Sequence, residues 1–222
     1  MFVTWGTGEQ MITELTGALG LARHAQGLRA RDIEAFRRYW SRMRKAGDVP
    51  RRTDIDPRGI APVLSEAFVA ERIAPGLARL RIAGNHLNDL MGMEVRGMPL
   101  SSFLRPGDRD RLAECLVDLF DRPATLDLDL VAERRMGSAP LTGRLVLMPL
   151  RSDLGDISRA LGCLVTEGPC GHAPRRFAIS RSRITGIDTG ASADPERPAP
   201  APPVTRAPLM GERPYLRLVT QD

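Results

Sequence analysis

A chain of 222 residues, 42% of them hydrophobic, has room for one well-packed domain with extended ends or for two very small ones. No apolar run approaches the roughly 20 residues of a membrane helix, and the opening MFVTWGTGEQM has neither the basic start nor the apolar stretch of a secretory leader, so the expected location is the cytoplasm. The net charge of +5 would suit nucleic acid, but all the basic residues except Lys45 are arginines scattered along the chain, which reads as the codon habit of a GC-rich genome.

Residues 1–29 carry five glycines and only weak periodicity, and are expected to form a flexible arm. From 30 to 46 the pattern changes: Ile33, Phe36, Trp40 and Met43 recur at three- and four-residue steps and line one face of a helix, with Gly47 as its stop. Asp56 can cap a short helical turn that starts at Pro57 and runs to Val63. Two strands, 67–74 and 77–83, flank the turn signal Pro75-Gly76. In the second, Leu80 and Ile82 are expected on one face and Arg79 and Arg81 on the other.

Residues 85–91 form a short helix ended by Gly92, and an amphipathic helix follows from about Asp108 to Asp121, with Leu112, Cys115, Leu116, Leu119 and Phe120 on its apolar side. Three further strands are expected, over 125–134, 142–151 and 159–167. The first alternates Leu126, Leu128 and Leu130 with Asp127 and Asp129, which places both carboxylates on the solvated face. The other two are apolar on both faces, so their sheet must be covered on both sides. Pro149 inside the middle run signals a bulge or a free edge. Residues 170–187 show no clear pattern. From 186 onward an Ala/Pro-rich tail is expected to be disordered, ending in a short apolar segment around Tyr215, Leu216 and Leu218.

The order is helix, two strands, short helices, a longer helix and three strands. Residues 36–63 add local detail: Tyr39-Trp40 on the first helix, then Pro50-Arg51-Arg52-Thr53-Asp54-Ile55-Asp56-Pro57, then the turn Ile60–Val63. This block resembles the N-terminal signature of the PAS_5 family, and Arg79–Phe103, with Gly84-Asn85, Gly92 and Gly97, resembles the block that follows it. The resemblance implies an α+β fold with a PAS-like five-stranded antiparallel sheet, inserted helices and an N-terminal amphipathic helix, forming a single domain over 30–185. It also implies a regulatory or sensory role in signal transduction, with a homodimer formed through the N-terminal helix as one expectation. It brings no established reaction or common ligand.

The residues themselves point away from catalysis. The three histidines, His24, His86 and His172, lie in no nucleophile motif, and no phosphate-binding glycine loop or His-Glu-x-x-His is present. Cys115, Cys163 and Cys170 make no disulfide framework and lack paired zinc spacing. No metal and no catalytic residue is therefore expected, and no cofactor is singled out. If the interior holds a ligand, its pocket would be lined by His86, Leu87, Leu90, Met91, Leu100, Phe103, Leu112 and Leu116, with His86 as the one residue able to ligate haem.

The strongest surface candidate is the basic helix and the segment after it: Phe36, Arg37, Arg38, Trp40, Arg44, Arg51 and Arg52, joined by the tail residues Tyr215, Leu216 and Leu218. The leading functional expectation is a stand-alone module acting by protein–protein interaction, modulated by a small ligand. The alternatives are a small-molecule or redox sensor with a bound cofactor, and a nucleic-acid regulator using the arginine-rich helix.

Overall fold

The computed structural model describes residues 29–132 and 141–188. The expected arm, apart from Arg29, and the tail beyond Asp188 with its apolar end lie outside the described residues. Helix α1 covers 29–43, after which the chain turns through Ala46 and Gly47 with φ of 51° and 82°. The capped turn begins where the sequence places it: the Asp56 side chain accepts from the Arg58 N–H at 3.0 Å, and a 3₁₀ helix runs Pro57–Val63. Strands β1 (Ala67–Ala74) and β2 (Leu77–Ala83) form the hairpin, followed by helices α2 (Asn85–Met91) and α3 (Arg109–Asp121) and strands β3 (Ala124–Ala132), β4 (Thr142–Arg151) and β5 (Ile157–Glu167).

A sixth strand, β6 (Phe177–Gly186), adds to the five expected. The sheet is antiparallel throughout, in the order β2-β1-β5-β4-β3-β6. β6 has little apolar alternation to reveal it: only Phe177 and Ile179 turn inward among its large side chains, and its place is set by backbone pairing with β3 along nearly its full length.

The apolar pattern of β4 and β5 dictates the layering. On the inner face Leu145, Leu147, Ala160 and Leu164 join α2, α3 and the loop helices in one continuous core. On the outer face Val146, Met148, Leu150, Leu161, Cys163 and Val165 pack beneath Ile33, Phe36 and Trp40 of α1 and against Ile60 and Val63. The sheet is therefore sandwiched, as its two-sided hydrophobicity requires. Glycine is needed at two close approaches. A Cβ on Gly84 would sit 2.2 Å from the Ser65 carbonyl oxygen, and one on Gly162 would sit 2.4 Å from the Phe68 ring, which closes over that point of the sheet.

Polar contacts fix α1 in place. The Trp40 indole N–H donates to the Pro149 carbonyl at 3.0 Å. Pro149 can occupy a central strand because β3 pairs with β4 only as far as Leu147. Beyond that point the edge of β4 is taken by the segment after α1, whose Pro50 carbonyl accepts from the Arg151 N–H at 2.8 Å. Arg151 also grips Asp48 with two bonds, at 2.7 and 3.0 Å, which hold the Asp48 carboxyl below its ordinary pKa. At the other end, Arg29 donates to the buried Glu66 carboxylate at 2.8 Å.

One expectation is corrected. Leu80 is fully buried, but Ile82 is about half exposed and lies on the opposite face. The ladder pairs Ala70 with Leu80 and Val69 with Ile82, so Arg81 is an extra residue that shifts the alternation.

Replacing Trp40 by alanine should cost about 3–5 kcal/mol in a denaturant titration, through the emptied cavity and the lost bond to Pro149. A cost under about 1 kcal/mol would mean that α1 does not cover the sheet.

Candidate functional site

Seven of the eight candidate pocket residues converge. Leu87, Leu90 and Met91 from α2, Leu100 and Phe103 from the 3₁₀ turn Leu100–Phe103, and Leu112 and Leu116 from α3 are 0–4% exposed and belong to one packed core. Periodicity placed them together because α2 and α3 each bury one stripe against the same inner face. The Phe68 ring over Gly162 fills the sheet side of this space. Among the described residues, concavities lie elsewhere, lined by α1, the loop after it, the 3₁₀ turn at Pro57–Val63 and the outer sheet face.

His86 stands at the rim. Its Nε2 lies 2.9 Å from the Thr166 hydroxyl at the end of β5, and burial lowers its pKa, which favours the neutral ring. This partnership engages one of the two ring nitrogens. Among the described residues no group of three His, Cys, Asp or Glu side chains is placed to hold a metal ion. The three cysteines are free thiols. Burial raises the pKa of Cys115 and pushes Cys163 up to about 12, so neither is a thiolate near neutral pH.

The surface candidates divide into two sets. Phe36 and Trp40 are 1% and 3% exposed, buried against the chain's own sheet. Arg37 pairs with Asp127. Arg44 stacks over the Trp40 ring, its guanidinium carbon 5.6 Å from the centroid, and donates to the Asp188 carbonyl at 2.8 Å. Arg38, Arg51 and Arg52 are exposed. Tyr215, Leu216 and Leu218 lie outside the described residues.

Two features were not legible in the sequence. The first is an apolar groove of about 250 Å³ on the outer face beside α1, lined by Ile55, Pro57, Ile60, Leu64, Val69 and Ile82. Leu64 and Ile82 are each about half exposed there. Ile82 reaches the groove only through the irregularity at Arg81, and strict alternation would have hidden it. The second is the setting of Asp127 and Asp129. They share a face as expected, but that face lies beneath α1 rather than in open solvent. Asp127 pairs with Arg37, and Asp129 accepts from Arg144 at 3.1 Å.

The family model for PAS domains, PAS_5, matches residues 28–165, well over half of the chain. The chain belongs to the PAS_5 family, and its sheet order and inserted helices are those of a PAS-type sensory fold. Solved structures overlap it weakly. The dark structure of the blue-light photoreceptor Aureochrome1 LOV aligns at TM-score 0.36 and 15% identity, over 49% of this chain and 80% of that one. A sensory box histidine kinase/response regulator from Burkholderia thailandensis E264 aligns at 0.33 and 18%, over 51% and 86%. An RNA-binding light-oxygen-voltage receptor aligns at 0.33 and 19%, over 49% and 32%. What those proteins sense or bind stays with them. No curated protein matches the chain, and no described helix is long and apolar enough to cross a membrane.

Leu116→Ala separates a filled interior from a preformed pocket. In the packed core it should cost about 2–5 kcal/mol by denaturant unfolding. Loss of under about 1 kcal/mol would reveal open space around α3.

Proposed function

We propose that this protein is a cytoplasmic regulatory module of the PAS type that acts by binding another protein, and that the apolar groove beside α1 receives the partner. The observation that carries this reading is the exposure of Leu64 and Ile82 over a concave apolar floor, on a face where the neighbouring apolar surface is covered by α1.

The chain segments that supply the groove's lining indicate the partner's chemistry. Arg52 and Arg58 stand exposed on the segments that supply Ile55, Pro57 and Ile60, and neither forms an ion pair among the described residues. A partner with an apolar side chain flanked by acidic residues complements this surface. The tight inner core, with His86 occupied by Thr166, favours a module whose signal passes over its surface above a sensor built around an interior cofactor. The apolar stripe of α1 is spent on its own sheet, so a homodimer formed by that stripe would have to unpack it.

Tagged wild type, Ile82→Glu and a chain truncated after Ile187 should be compared in capture from native lysate. Ile82 is exposed, so its substitution should leave circular dichroism and Tm unchanged. The expected result is a protein retained by wild type and by the truncated chain and reduced at least tenfold on Ile82→Glu. Retention by Ile82→Glu together with loss on truncation would transfer the binding to the tail. Light scattering that shows a wild-type dimer dissociated by Ile82→Glu would make a second copy the occupant.

A further inference from the structure

On the outer face away from that groove, the line of contact between α1 and strands β3, β4 and β6 is open. Two concavities of about 370 Å³ each lie along it, and they share Asp129 and Arg144. They adjoin at the Asp129–Arg144 ion pair, and the two ends of this run differ chemically. One end is largely apolar, with Ile33 of α1, Val131 and Val165 along it beside Arg29 and Glu167, and Val131 is 43% exposed. The other end gathers four guanidinium groups, Arg37, Arg144, Arg181 and Arg183, around Glu34, Asp127 and Asp129.

The pairing at the charged end leaves Arg181 and Arg183 over, with Glu34 as the third carboxylate there, a net excess of one positive charge. Strand register sets Arg183 directly across from Asp127 and Arg181 across from Asp129. Both carboxylates are nevertheless engaged elsewhere, Asp127 by Arg37 from above and Asp129 by Arg144 from β4. Arg181 and Arg183 form no ion pair among the described residues. Lying two apart on one strand, they point to the same side with roughly 7 Å between their Cα atoms, within reach of a single phosphate.

The pKa of Arg37 falls mainly through burial; Glu34 opposes the fall, and Arg144 and Arg183 add to it.

We propose that this cleft binds a small phosphorylated molecule with a flat or apolar body, of the size and chemistry of a nucleoside monophosphate. Arg181 and Arg183 hold the phosphate, and the body lies between Ile33 and Val131. Asp129, at the junction of the two ends, accepts from a ribose hydroxyl or a base amino group. The site lies on the sheet face opposite the interior, and it stands whether or not the apolar groove takes a protein partner.

The test is calorimetric titration of the full chain with AMP, GMP, CMP and UMP, and with guanosine, inorganic phosphate and a ten-nucleotide single strand, at low and at physiological salt. The proposal expects at least one monophosphate to saturate with a Kd below about 1 mM and to bind at least tenfold more tightly than phosphate or guanosine. Affinity should weaken as salt rises. The Arg181→Ala, Arg183→Ala double variant changes only exposed side chains. It should keep the wild-type Tm and lose at least tenfold in affinity, and the uncharged Val131→Asn should weaken the monophosphate while leaving phosphate binding unchanged. The proposal is overturned if no monophosphate saturates, if phosphate alone binds as tightly, if the double variant binds like wild type, or if the single strand binds tenfold more tightly than every monophosphate.

Discussion

β4 and β5 are apolar on both faces, and a sheet with such strands at its centre cannot leave either face in water. The rest of the architecture answers that constraint. The inserted helices and loop turns cover the inner face, and α1 with the 3₁₀ turn Pro57–Val63 covers the outer one. The Trp40–Pro149 bond and the pairs Arg151–Asp48 and Arg29–Glu66 fix the outer cover laterally. Burial on both faces drives this packing, and these polar contacts tie particular residues of the helix and its flanks to the sheet.

This division of labour shapes where function can reside. The inner face, where the sequence suggested a ligand pocket, is occupied by its own leucines and by Phe68 over Gly162. The outer face is covered incompletely because α1 is narrower than the sheet. It leaves an apolar groove on the β2 side and a charged cleft on the β6 side. A helix that closes the core also forms a wall of one of these openings, so occupancy of the cleft would bear directly on α1.

Much of the fold was legible because its signals are local. β4 was delimited by its continuous apolar run, α3 by a stripe whose five expected members are its five buried residues, and the turn at Pro57 by its Asp56 cap. β6 escaped because Ser-Arg-Ser-Arg carries no burial pattern and is held by β3 through the backbone. The exposure of Ile82 escaped because an irregularity in the ladder leaves no mark in composition. The candidate sites were less legible still. Phe36 and Trp40 read equally well as a surface stripe or as core, and only the third dimension assigns them to the core. Likewise Asp127 and Asp129 look solvated until α1 is laid over them and Arg37 finds its partner 90 residues away.

Native-state amide hydrogen exchange tests the central claim, that α1 and the sheet are one cooperative unit. The account predicts that the amides of residues 36–40 of α1 exchange only through the same global opening as those of Val146 and of Leu161–Val165, with equal protection free energies and equal sensitivity to denaturant. Exchange in α1 at least a hundredfold faster than in β4 and β5, with no dependence on denaturant, would show that the outer face opens on its own and would contradict the account.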